Sequence, residues 1–117
     1  MIWEEIEEKD KRVVEASEWI PIGSYKTALE ERAGVYIFTD DDLDVKYIGK
    51  AGAGRMVKEL KYLMTYEVYS AINRKKDKGA TQVKALYTNS DANALEYEGE
   101  LIKKYDPPNN GVNLLKS

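Results

Sequence analysis

The chain contains no cysteine and no histidine. Without cysteine there is no disulfide framework and no thiolate metal site. Without histidine the commonest general base, the Ser-His-Asp triad and most transition-metal sites are excluded. Any catalysis must run on carboxylate, tyrosine, lysine or arginine chemistry. Any bound metal should be a hard, oxygen-seeking ion such as Mg²⁺ or Mn²⁺. No apolar run approaches the length of a membrane span, so no membrane partner is expected. The start, Met-Ile-Trp-Glu-Glu-Ile-Glu-Glu-Lys, lacks the basic and apolar regions of a secretory signal, and a cytoplasmic location is expected. There is no internal repeat, low-complexity segment or linker.

What is present is a 117-residue chain, one third charged, of a size for a single modest core. Its net charge of −3 conceals an asymmetry. Residues 1–45 carry a net −8, residues 46–84 a net +7 and residues 85–117 a net −2. The basic block suits either a surface that meets a polyanion or ordinary solvated helix faces.

The organising stretch is 34–49. Gly34-Val-Tyr-Ile-Phe38 and Val45-Lys-Tyr-Ile-Gly49 are β-prone segments separated by the acidic turn 40–44, the pattern of a hairpin. Alternation places Val35 and Ile37 on one face and Tyr36 and Phe38 on the other, with Val45, Tyr47 and Gly49 sharing a face. Taken alone, this is a half-buried hairpin with two packing tyrosines. The turn's four aspartates lack the ligand spacing of a calcium loop and suit a solvated turn.

Around the hairpin, residues 3–19 show a helical pattern, with Trp3, Ile6, Val13, Val14 and Trp19 on one side. A short helix over 24–32 would start at a capping box, Thr27 to Glu30. The Gly-rich stretch 49–54 is no Walker loop and leads into a helix over 55–64. Arg55 there lies near the helix's positive end, an odd place for a cation unless an anion sits between. A second helix is expected over 67–76, a third strand over 82–87, and a helix over 92–105 capped by Ser90 or Asp91. In that last helix Ala94, Leu95, Leu101, Ile102 and Tyr105 form a stripe into which Glu98 falls. A lone acid there is costly unless paired. It is either a structural ion pair, with Arg55 a candidate partner, or a metal ligand or catalytic carboxylate. Gly99 beside it suggests a close approach by backbone or ligand. Asp106-Pro-Pro-Asn-Asn-Gly ends the helix, and the tail 112–117 adds an edge strand or lies loose.

These residues, taken together and in order, resemble the GIY-YIG nuclease family. Gly34-Val35-Tyr36 is similar to the first half of the family's name motif and Tyr47-Ile48-Gly49 to the second. The segment from Glu98 through Pro107 to Asn110 resembles its glutamate helix. The likeness covers about 33–113. It implies an α+β domain with a small, three-stranded, mainly antiparallel sheet flanked by helices; the helical patterns ahead of it add a helical extension over 1–32. It also implies a metal-dependent endonuclease. On that resemblance Glu98 would hold Mg²⁺ or Mn²⁺. Tyr36 and Tyr47 would bracket the attacking water, Arg55 would neutralise the phosphate and Lys50 would support them. Gly49, Lys58 and Asn110 would line the substrate side, with Asn110 tying down the helix end. The sequence departs from the family in two places. The family's arginine lies further past the motif glycine, nearer Val57 or Lys58. One turn after the arginine, where an aromatic or histidine is common, stands Glu59, with Tyr62 and Tyr66 further on. The implied substrate is DNA, with RNA not excluded. A homodimer or an accessory DNA-recognition partner would supply specificity. Two rivals remain open: the same fold binding nucleic acid or a protein partner without cutting, and a structural protein in which Glu98 and Arg55 form only an ion pair.

Overall fold

A computed structural model describes residues 1–65 and 79–110. The elements labelled below are those of the described residues. The hairpin forms as β3 (Gly34–Thr39) and β4 (Val45–Ala51), in antiparallel register with Tyr36 opposite Gly49 and Phe38 opposite Tyr47. The strand expected over 82–87 is β5 (Gln82–Thr88), and it pairs with the other edge of β3. The helices that follow β4 and β5 are α2 (Met56–Thr65) and α3 (Asp91–Tyr105). Ser90 caps α3 by accepting from the Asn93 amide at 3.1 Å, as its position suggested. The helix ends where Asp106 turns into the left-handed region at φ 44°.

The sheet separates two apolar layers. On one face Tyr36, Phe38, Val83, Ala85 and Tyr87 pack with Met56, Leu60 and Leu63 of α2. On the other, Val35, Ile37, Ile48 and Leu86 pack with Tyr97, Leu101 and Tyr105 of α3. Alternation along β3 and β5 therefore delivered the faces. Along β4 it failed at one residue. A bulge between Phe38 and Thr39 brings Thr39 opposite Val45, so Val45 joins Ile48's face instead of sharing one with Tyr47.

The expected helix over 3–19 does not form. Glu5–Lys9 makes a short 3-10 turn, Val13–Ala16 is β1, and Ile20–Pro21 is β2. Both strands pair antiparallel with β5, giving a five-stranded sheet in the order β1-β5-β3-β4, with β2 further along the same edge of β5. Between them Ser17 bridges the gap: its amide donates to the Ala85 carbonyl and its hydroxyl accepts from the Ala85 amide, both at 2.9 Å. The physical reason is the unpaired edge that β5 would otherwise present, with β-branched Val13 and Val14 well suited to cover it. Ile6 and Val14, assigned to the buried side of that helix, are exposed. The two tryptophans nonetheless meet edge to face, and Trp3 stacks on Tyr105 with centroids 5.2 Å apart.

The expected short helix shrinks to α1 (Tyr25–Ala28), and Thr27 lies inside it rather than capping it. Its hydroxyl donates to the Ser24 carbonyl at 3.3 Å. Just beyond, the Glu31 carboxylate accepts from the backbone amides of Val57 and Lys58 at the start of α2. An acid there meets unpaired N–H groups and the positive end of the helix. Glu31→Ala should lower stability by about 1 kcal/mol, read from a denaturant midpoint shifted at constant m value.

The helix expected over 67–76 and the tail 112–117 lie outside the described residues, as do Arg74, Lys75, Lys76 and Lys78 of the basic block.

Candidate active site

The hairpin register builds the site. Tyr36 lies across Gly49 so closely that a β-carbon there would overlap the phenol ring and hydroxyl. Gly34 is likewise pressed against the Leu86 carbonyl of β5. The two glycines are thus required by close approach: one admits the neighbouring strand, the other admits the tyrosine. Tyr47 stacks beside Tyr36, with centroids 6.4 Å apart and planes at 29°. Tyr36 is buried and Tyr47 half-buried.

After Ala51 the chain turns through Gly52–Gly54, with Gly54 at φ 72°. Asp91, at the start of α3, accepts from the Ala53 amide at 2.8 Å, so the loop is tied to the third helix. Arg55 immediately precedes α2, and its carbonyl accepts the Glu59 amide at 2.7 Å. The anion foreseen at this helix end is a carboxylate of the chain itself, that of Glu31. The Arg55 guanidinium instead donates to Glu59 Oε1, through Nε at 3.2 Å and Nη2 at 3.1 Å. Lys50 and Lys58 are exposed on either side of the loop. Tyr62 is exposed, and Tyr66 lies outside the described residues.

From the opposite helix comes Glu98. The buried stripe of α3 is Ala94, Tyr97, Leu101 and Tyr105; Leu95, expected in it, is exposed. Glu98 borders that stripe and is half-buried. Its two acidic neighbours are committed elsewhere. Arg12 donates to Glu96 at 2.6 Å and to Glu100 at 2.7 and 2.8 Å, while lying over the Tyr97 ring. Among the described residues no donor or cation bonds Glu98, so the expected Glu98–Arg55 ion pair is not formed. Nor does Gly99 admit a close neighbour, since a β-carbon there would meet nothing within 4 Å.

The electrostatics join these pieces. Burial raises the Glu98 carboxyl above the usual carboxylate range, and the Lys50 charge partly opposes this. Burial holds Tyr36 well above the ordinary phenol range, helped by Tyr47, Glu59 and Glu98. Tyr47 is raised by burial, then by Glu98 and Glu59. Two carboxylates from two helices therefore face one pair of phenols. Burial first, and the two carboxylates after it, keep both phenols protonated in the absence of an ion.

At the outer edge of β4, Asn110 replaces a missing strand. Its Oδ1 accepts from the Ile48 amide and its Nδ2 donates to the Ile48 carbonyl, both at 2.9 Å. The Asn109 amide donates to the Lys46 carbonyl at 3.0 Å. The turn after α3 thus clamps the strand that carries Tyr47 and Gly49.

A model of the UvrC-like GIY-YIG domain matches residues 32–111. The chain belongs to the GIY-YIG family. It is similar to UvrABC system protein C of Sphingopyxis alaskensis, 35% identical over 92 residues, and to that of Zymomonas mobilis, 32% identical over 92 residues. Each alignment covers 76% of this chain but only 14% and 13% of those proteins. Among solved structures it resembles the GIY-YIG N-terminal endonuclease domain of UvrC from Thermotoga maritima bound to its catalytic divalent cation, magnesium. That likeness has a TM-score of 0.56 at 27% identity and covers 76% of this chain and 94% of that one. A point mutant of that domain, also with its cation, gives a TM-score of 0.61 at 27% identity, covering 75% and 92%. The GIY-YIG fold expected from the hairpin and glutamate helix is the fold found, enlarged by β1 and β2.

Sequence reasoning passed over three residues of this GIY-YIG site. Glu59 was visible as the residue one turn after Arg55. Asp91 was noted only as a cap candidate. Glu31 carried no local signal, because its partner amides are 26 and 27 residues away.

Proposed function

We propose that this domain is a metal-dependent endonuclease that hydrolyses DNA phosphodiester bonds, with Glu98 as its metal ligand. The observation that carries the reading is the state of Glu98. It is half-buried, its proton affinity is raised by burial, and no described residue bonds it, although Glu96 and Glu100 on the same helix are both bonded by Arg12. A desolvated carboxylate without a partner is what a cation site requires before the cation arrives.

The donor set fits the ion. With neither cysteine nor histidine in the chain, a site at Glu98 would offer oxygen donors, which suits Mg²⁺ or Mn²⁺. No group of three or more acids that could hold a metal occurs among the described residues, and a hard ion at one carboxylate would keep waters and take oxygens from a phosphate. When bound, such an ion supplies Lewis-acid stabilisation of negative charge and favours deprotonation of nearby water and phenol. The chain's own groups do the rest. Tyr36 and Tyr47 would bracket the attacking water, and one of them, in its phenolate form, would take the water's proton. Lys50 moderates the Glu98 charge, and Arg55 meets the scissile phosphate. Gly49 gives Tyr36 its room, and Asn110 fixes β4 beneath both. Lys58 contacts backbone phosphate outside the reacting centre. Residues 1–32 act as an extension that completes the sheet, and 33–113 as the catalytic unit. A cytoplasmic location goes with such a substrate. No separate DNA-reading element occurs among the described residues, so selectivity would come from a partner or a second copy.

Supercoiled plasmid with Mg²⁺ or Mn²⁺ tests the reading: nicking by the wild type and none by Glu98→Ala supports it. Binding without nicking favours a non-cleaving module, a reading drawn from the short spacing between Gly49 and Arg55. Arg55 and Lys58 separate in the same assay. Arg55→Ala should cut about 10²-fold more slowly or worse. Lys58→Ala should mainly weaken binding and reduce its salt slope by about one unit. The reverse pattern would move the arginine role to Lys58.

A further inference from the structure

Glu59 has no place in the assignment above, yet its carboxylate engages Arg55. It lies in the first turn of α2, with its side chain 33% exposed, beside an Arg55 side chain that is 53% exposed. Both bonds from Arg55 fall on one oxygen, and both come from the inner edge of the guanidinium, Nε and Nη2. Among the described residues no acceptor bonds Nη1, which leaves the outer edge for a ligand.

Stability does not account for this pair. An exposed ion pair at i,i+4 contributes little, and the order here, arginine before glutamate, is the weaker one on a helix. An unrestrained arginine of that exposure would sample many rotamers, whereas two bonds from one carboxylate remove most of that freedom. The same carboxylate bears on both phenols, after burial in each case.

We propose that Glu59 is a positioning residue of this site: by accepting from the Nε–Nη2 edge of the Arg55 guanidinium, it fixes that cation at the start of α2 with Nη1 left to meet a phosphate. Glu59 thereby acts through Arg55 and touches neither substrate nor metal. The proposal rests on the endonuclease reading, because only a phosphate at the site gives the guanidinium something to be positioned for.

The test compares wild type, Glu59→Ala, Glu59→Gln, Arg55→Ala and the double substitution Arg55→Ala with Glu59→Ala, in plasmid nicking with Mg²⁺. Glu59→Ala should lower kcat by about tenfold or more with little change in KM. Glu59→Gln, which keeps an acceptor oxygen, should recover most of that loss. The double substitution should be no slower than Arg55→Ala, since the one residue acts through the other. The thermal midpoint of Glu59→Ala should stay within about 2 °C of wild type, as an exposed pair predicts. Independently of cleavage, the Arg55 Nε–H resonance should be protected from exchange in the wild type and in Glu59→Gln and lose that protection in Glu59→Ala. Full activity in Glu59→Ala, a glutamine variant as slow as the alanine one, or a further loss in the double substitution overturns the proposal. Those results leave the endonuclease reading standing, provided the wild type cuts. A wild type that does not cut removes both.

Discussion

Glu98→Gln should abolish cleavage, lowering the rate by about 10³-fold or more, while leaving the folded protein at least as stable as the wild type at neutral pH. The two halves of this expectation have one cause. Burial makes the Glu98 carboxyl hold its proton more tightly in the folded chain than in the unfolded one, with Lys50 offsetting part of the effect. Between the ordinary glutamate range and that raised value, the folded state binds more protons than the unfolded state. Stability therefore falls as pH rises through this window, and the deficit is fully present above it. Glutamine carries no charge to bury, so the variant should gain on the wild type above the window and lose that gain below the ordinary glutamate range. Thermal unfolding across pH without divalent ions measures this. Added Mg²⁺ should then raise the wild-type midpoint by mass action and leave the glutamine variant unmoved. A glutamine variant that nicks at the wild-type rate would sink the assignment. A wild type whose midpoint ignores Mg²⁺ and Mn²⁺ would do so without any DNA in the experiment.

Glu98 was legible in the sequence because burying a charge is expensive in any fold. An acid set among apolar positions at helical spacing announces a partner or a ligand before any coordinates exist. The meeting of the phenols was legible only through the family resemblance, because period-two alternation sorts each strand's residues by face and leaves the register between strands open. Alternation uses only the periodicity of one element. Val45 went to the wrong face because a bulge at Thr39 breaks that periodicity, and no residue type marked it. The helix expected over 3–19 failed more instructively. Its apolar spacing suited a helix, yet the alternative was decided elsewhere, by the open edge of β5 some seventy residues away. Local pattern cannot weigh a hydrogen-bonding edge that does not exist until the rest of the sheet has formed. In the last helix, Tyr97 rather than Leu95 turned inward: its hydroxyl reaches the Glu7 carbonyl at 2.6 Å while Arg12 covers its ring. That choice again depends on the N-terminal segment, whose course the sequence did not disclose. The alternative in which Glu98 pairs with Arg55 is not realised, since Arg55 bonds a nearer acid in the first turn of the helix it precedes.

Gly49→Ala should be strongly damaging, because the added carbon has nowhere to go. The nearest atoms are Cζ, Cε1 and the hydroxyl of Tyr36, and all three would lie inside contact distance. Tyr36 cannot retreat easily, since its ring is packed between Phe38 and Tyr47 at centroid distances of 5.8 and 6.4 Å. Overpacking of this kind typically costs about 1–3 kcal/mol, and the upper end is expected where the ring is confined on both sides. Cleavage should fall more than stability does, because the displaced group is the phenol that faces the water. Tyr36→Phe in the Gly49→Ala background should relieve little, as two of the three clashing atoms are ring carbons that phenylalanine retains. Tyr36→Ala should behave differently. It is costly by itself, at about 3–5 kcal/mol for the loss of a buried aromatic. Once the ring is gone, Gly49→Ala should add almost nothing, so the two substitutions should be strongly non-additive. Denaturant midpoints for the four proteins measure the cycle. Additive losses would mean that Gly49 is required by its backbone alone, and that the tyrosine of the first strand does not lie across the glycine of the second.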